Sequence, residues 1–133
     1  MASHGRIHKS HQSLKSYEDS IVYTDNLIKK VSGKDRVHFR PPYGQRNDRV
    51  LKKLESLKST NILWNIDSND WHSKISSDQI VGRITKLMTL WRKGIILFHD
   101  VHDKAICSIP HLSKFVKNSN LTWKECSSIG QPD

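Results

Sequence analysis

Cysteine is scarce: Cys107 and Cys126 are the two in 133 residues. Two cysteines do not make a disulfide framework, and nothing in the sequence requires them to pair. Long apolar runs are absent as well. No stretch approaches the ~20 residues of a membrane-spanning helix. The opening residues, MASHGRIHKSHQS, lack the apolar segment of a secretion signal. Internal repeats and low-complexity tracts are missing. Concentrated basic charge is missing too. Twenty-two Lys and Arg stand against 13 Asp and Glu, a formal +9, but they are scattered in pairs such as Lys29-Lys30, Lys52-Lys53 and Arg92-Lys93. The tryptophans do not interleave with them. That is the pattern of solvated helix faces, and it carries no nucleic-acid recognition motif. Apolar residues are sparse at 35%, or about 38% with glycine in place of tyrosine, against roughly 45–50% in ordinary soluble domains. The core is expected to be lean.

What is present alternates. Tyr17, Ile21, Thr24, Ile28 and Val31 recur at three- and four-residue steps, which predicts a helix over 17–31 with Gly33 as its C-terminal cap. Residues 36–40 (RVHFR) read as a short strand, stopped by Pro41 and Pro42. Asn47 caps a second helix with Val50, Leu51, Leu54 and Leu57 inward. Residues 61–66 (NILWNI) read as one strand. Ser76 or Ser77 caps a third helix with Ile80, Ile84, Leu87, Met88 and Trp91 inward and Gly94 at its end. Residues 95–98 (IILF) form a strand buried on both faces. A fourth helix starts near Ile109-Pro110, proline taking a first-turn position, with Leu112, Phe115 and Val116 inward. A last strand is expected over 121–126. This order predicts a single α/β domain over 1–133 with parallel strands.

In such folds the polar residues beyond strand C-termini are where chemistry sits. Three strand ends carry polar clusters: Arg40-Pro41-Pro42-Tyr43-Gly44, then Asp67-Ser68-Asn69-Asp70-Trp71, then His99-Asp100. With parallel strands all three are expected on one face. A fourth cluster is His4-x-x-x-His8, whose spacing puts two imidazoles on one side of a helical turn, suited to sharing a divalent metal. His11 is a competing ligand. His99 can act as general acid or base, with Asp70 holding its other nitrogen. Asp67 and Asp70 read equally as turn formers. Arg40, on a rigid segment, suits a carboxylate or a surface ion pair. Tyr43 lies in a turn whose N–H can face an oxyanion. Trp71 and Leu97 read as walls of a site or as ordinary core.

Taken together, these four clusters, in this order, resemble four of the five motifs of the polysaccharide deacetylases, the NodB homology domain of carbohydrate esterase family four. The resemblance covers nearly the whole chain. It implies a distorted, incomplete (β/α) barrel and metal-dependent removal of N-acetyl groups from an N-acetylglucosamine polymer such as chitin or peptidoglycan. Carried over, His4 and His8 are ligands of a divalent metal, typically Zn2+. Arg40 orients the catalytic-base Asp, the Tyr43 N–H stabilises the oxyanion, Asp70 tunes the general acid His99, and Trp71 and Leu97 enclose the acetyl methyl.

The family's first motif, a Thr-Phe-Asp-Asp type sequence, has no counterpart here. It supplies the catalytic base and the acidic metal ligand. Asp19 and Asp25 do not replace it, since both fall in the first predicted helix. The chain is therefore expected to be an N-terminally truncated domain, inactive and marginally stable by itself, with its first strands missing. The alternative is a non-catalytic remnant that binds glycan or metal. An N-acetylated polysaccharide is the expected partner; nucleic acid, a membrane span and an obligate protein partner are not expected. Localisation is not encoded in these residues, although full-length relatives are often secreted or held in the cell envelope.

Overall fold

The computed structural model describes residues 2–10, 15–125 and 129. The elements are β1 (Ala2–Ser3), α1 (Lys15–Ser32), β2 (His38–Phe39), a 3-10 turn (Pro42–Gly44), α2 (Asp48–Ser56), β3 (Thr60–Asn61), β4 (Ile66–Asp67), α3 (Ser77–Trp91), β5 (Ile96–Leu97) and α4 (Asp103–Asn118). Every strand pair is parallel, so the mixed α/β reading holds. The chain divides into two compact units, residues 1–63 and 64–133.

The first unit is a three-stranded sheet in the order β1-β2-β3. Ala2 and Ser3 pair with His38 and Phe39, which pair with Thr60 and Asn61. β1 has no local sequence signal, being two small residues. The core joins Tyr17 and Ile21 of α1 to Phe39, Val50 and Leu54, with Leu57 against them. Asn47 caps α2 as expected, its side chain accepting the Val50 N–H at 2.9 Å. Leu51, expected inward, is exposed. Gly33 closes α1 at φ +66, its N–H reaching the Lys29 carbonyl at 2.9 Å.

α1 buries the face its apolar residues mark only at its start, at Tyr17 and Ile21. Val31 is 73% exposed, while Ser20 and Asp25 are buried. The reason is polar pinning. Asp25 pairs with Lys29 at 2.8 Å and accepts the Ser59 hydroxyl. Lys29 also donates to the Leu57 carbonyl at 2.5 Å. Buried charge is tolerated when it is paired in this way.

The second unit sets α3 and α4 against the pair β4-β5, with Ile66 opposite Ile96 and Asp67 opposite Leu97. Its core is Ile66, Ile80, Ile84, Met88, Leu112 and Val116, with Leu87, Ile96, Phe98 and Phe115 packed on it. Ser76 and Gln79 form a capping box at the start of α3, satisfying two otherwise orphaned amides.

Several expectations need correction. The run 61–66 is not one strand. Ile62 still donates to the Phe39 carbonyl, whereas Asn65 and Ile66 both donate to the Ile95 carbonyl. The chain changes partner between them, and one carbonyl taking two successive amides is a bulge-like break. Trp91 is 43% exposed, and Arg92, at φ 57, rather than Gly94, takes the left-handed position that ends α3. Gly94 serves close approach instead. A Cβ there would lie 2.8 Å from Asn65 Oδ1 and from Ile66 Cδ1. Of residues 95–98, only Ile96–Leu97 form strand and only Leu97 is buried.

α4 begins six residues before Ile109, and Pro110 lies inside it. Ala105, Ser108, Leu112 and Val116 are buried along one face on both sides of the proline. That continuous contact outweighs the ~3 kcal/mol an interior proline costs. Residues 121–125 form no strand. Trp123 is exposed there, and Leu121 instead continues the α4 terminus by donating to the Val116 carbonyl. Cys126 lies outside the described residues. Cys107 is free and exposed on α4.

Candidate active-site residues in two polar clusters

In the first unit the ladder ends at Ser3 and delivers His4 directly. Gly5, at φ +83, turns the chain back, so residues 4–8 form a bend rather than the helical turn the spacing suggested. The His4 and His8 rings still meet, with centroids 4.9 Å apart. His4 Nδ1 lies 2.6 Å from the Arg40 carbonyl oxygen. A carbonyl only accepts, so Nδ1 carries the hydrogen and the lone pair of the neutral ring sits on Nε2. Fixing the tautomer through the second nitrogen is what a metal-ligating imidazole needs.

Hydroxyls from α1 hold this bend. Ser20 Oγ accepts the Arg6 N–H at 2.7 Å. Ser3 Oγ donates to Thr24 Oγ1 at 2.9 Å and accepts the Gly5 N–H at 3.3 Å. Ser20 and Thr24 therefore act as polar contacts of the histidine bend. Sequence reasoning missed Ser20, whose only signal was a hydroxyl next to the apolar position Ile21.

Arg40 donates its N–H to the Ser3 carbonyl at 2.9 Å, so the strand end carrying Arg40 is registered on the strand end carrying His4. Pro41 and Pro42 are buried. Tyr43 follows in the left-handed region (φ 56, ψ 14), while Gly44 and Gln45 donate back to the Pro41 and Pro42 carbonyls. The exposed Tyr43 ring stands edge-on to His8, with centroids 4.6 Å apart. The structure thus brings together His4, His8, Arg40 and Tyr43. His11 lies outside the described residues. Among the described residues no three His, Cys, Asp or Glu side chains form a metal-holding group.

In the second unit Asp70 and His99 meet as expected. Asp70 is fully buried. Its Oδ1 lies 2.7 Å from His99 Nδ1, and its Oδ2 accepts the His99 backbone N–H at 2.6 Å. Burial is the largest single influence on the carboxyl and pushes it up. The hydrogen bonds from the His99 ring and amide and from Ser68, together with the His99 charge, outweigh it and hold Asp70 below its ordinary value. An ionised carboxylate only accepts, so Nδ1 is the donor and Nε2 faces away from the pair. The His99 ring is 39% exposed.

The two readings of the neighbouring acids now separate. Asp67 is the turn former, its Oδ1 accepting the Asn69 N–H at 2.8 Å. Arg83 of α3, which sequence reasoning did not single out, donates to the Asp67 carbonyl at 2.8 Å. Lys104 of α4 holds the His72 carbonyl at 2.6 Å. Trp71 is 55% exposed and so is not core. Leu97 is buried, but it lies between Ile96 and Phe98, which pack on the α3–α4 core. By strand alternation Leu97 faces the opposite side. His102 places its ring 6.1 Å from that of His99.

Residues 1–62 match the family model described as polysaccharide deacetylase. The chitin deacetylase of Amylomyces rouxii is 24% identical over 121 residues, covering 83% of this chain and 29% of that protein. Chitin deacetylase 1 of Saccharomyces cerevisiae is 33% identical over 101 residues, covering 72% of this chain and 33% of that protein. The chain thus spans about a third of the length of the curated relatives it matches. Among solved structures, a family 4 carbohydrate esterase from Streptomyces lividans, in complex with acetate, has a TM-score of 0.78 at 26% identity, covering 93% of this chain and 64% of that one. With strand ends that carry the motif residues in contact, and with relatives in sequence and in structure that agree, the chain belongs to the polysaccharide deacetylase family.

Proposed function

We propose that this chain carries working parts of a metal-dependent hydrolase that removes N-acetyl groups from an N-acetylglucosamine polymer, chitin or peptidoglycan. The observation that carries the reading is the Asp70–His99 pair: a buried carboxylate bound by both the ring and the amide of a half-exposed histidine at a strand end. That arrangement holds a proton on Nδ1 and presents Nε2 to a leaving amine. His4 and His8 hold the metal, and the His4 tautomer suits that role. When bound, the metal supplies Lewis acidity to the amide carbonyl and the attacking water. The Tyr43 N–H donates to the oxygen on which charge develops. Arg40 orients a carboxylate base, and Trp71 and Leu97 form apolar walls for the acetyl methyl. The β/α units are read as parts of a distorted, incomplete barrel.

The histidine pair fits a metal in part. Two nitrogen ligands are present, and the described residues offer no carboxylate to join them. We therefore propose that these 133 residues alone are inactive. The test is acetate release from acetylated chitooligosaccharides and from peptidoglycan, with zinc, by the chain alone and by the chain fused to a segment bearing the missing Thr-Phe-Asp-Asp type motif. Activity in the fusion and none in the chain alone is the expected result. A folded, zinc-binding fusion without activity would favour the non-catalytic remnant.

A further inference from the structure

We propose that Ser68 is a positioning residue for the Asp70–His99 pair, its hydroxyl holding the Asp70 backbone N–H and so keeping the carboxylate in the orientation that fixes the His99 ring. The inference rests on the reading of His99 as proton donor. Ser68 is fully buried and follows β4 directly. Its backbone N–H donates to the Leu97 carbonyl at 3.3 Å, which registers it on the strand that leads to His99. Its Oγ accepts the Asp70 N–H at 3.2 Å, closing a turn over Asn69, which sits at φ 59. Asp67 closes the preceding turn through the Asn69 N–H. The loop is thus fixed by two side-chain turns in series, and the second ends on Asp70.

Ser68 Oγ thus binds the amide of the residue that grips His99. Alanine at this position removes that bond and leaves a buried N–H orphaned. The carboxylate then loses the backbone anchor that aims it at the ring and amide of His99.

Proton NMR of the full chain tests this through the His99 Nδ1–H resonance, shifted downfield and slowed in exchange by its bond to Asp70. The expected result is a resonance present in the unaltered chain and in Ser68→Thr, and lost in Ser68→Ala while the amide spectrum stays dispersed. A resonance that persists unshifted in Ser68→Ala overturns the proposal, as does its loss from a folded Ser68→Thr. If Ser68→Ala does not fold, amide exchange in the unaltered chain decides. An Asp70 N–H slowed at least about tenfold over its unprotected rate supports the bond to Ser68, and free exchange overturns it. None of these readouts depends on deacetylation, so a failed acetate-release assay leaves them interpretable.

Discussion

The ring and the backbone amide of His99 both donate to one carboxylate, that of Asp70, at 2.7 and 2.6 Å. This two-point grip fixes the imidazole in rotation as well as in place. It also ties the second unit to pH. In the unfolded chain an aspartate titrates near about 4, and in the fold Asp70 lies lower. Its contribution to stability is therefore complete above about pH 4 and is lost as pH falls through the folded value. All four tryptophans lie in residues 64–133 and all three tyrosines in residues 1–63, so tryptophan fluorescence reports on the second unit. Urea midpoints read this way are expected to hold from pH 7 to 5 and fall below 4. Asp70→Asn should flatten that fall and destabilise the unit by about 1–2 kcal/mol at neutral pH.

Gly94→Ala should destabilise the same unit by about 1–3 kcal/mol, the range for overpacking a filled site. The added methyl meets Asn65 Oδ1 and Ile66 Cδ1, both at 2.8 Å. Tryptophan-detected urea unfolding checks it, and an unchanged midpoint would show that Asn65 swings aside at little cost.

Pro110→Ala should act in the other direction. Pro110 is exposed within α4, where it has no N–H to offer the carbonyl of Ile106. Alanine restores that donor, and a gain of about 1–3 kcal/mol is expected from the helix propensities of the two residues. A melting temperature at or below that of the unaltered chain would overturn this expectation.

Zinc binding should follow the first unit. His4→Ala and His8→Ala are each expected to abolish it in a competition titration against a chromogenic chelator. Ser20→Ala touches neither ring, but it removes the acceptor for the Arg6 N–H between them. About a tenfold loss of affinity is expected, the scale on which outer-shell partners act. An unaltered affinity would mean that the bend keeps its shape without α1.

Local signals were legible wherever a single residue satisfies its own neighbourhood. Asn47 and Ser76 announced two helix starts, and the structure uses both as caps. The four motif clusters were legible as strand ends because prolines, acids and histidines interrupt apolar runs there. What depends on partners far along the chain was not legible. NILWNI carries no mark of where its first residues leave β2 and its last join β5. Pro110 reads as a helix start until the α3 face that rewards a longer α4 is known. Asp25 looks like a solvated helix residue until Lys29 and Ser59 are seen beside it. Ser20 and Arg83 act on backbone groups of other segments, and no spacing rule reveals such bonds.

The brevity of β1 bears on which length changes this chain tolerates. Two residues pair with β2, and Ser3 keys the register by bonding to Thr24. Side chains alternate along a strand, so a slip by one position exchanges their faces. Inserting a single residue between Ser3 and His4 would carry the imidazole away from the Arg40 carbonyl and the ring of His8. Several residues added between Gly33 and Arg36, where every side chain is exposed, would lengthen a surface connection and leave both neighbours in place. Insertions and deletions are thus expected to be purged at the first junction and to accumulate at the second.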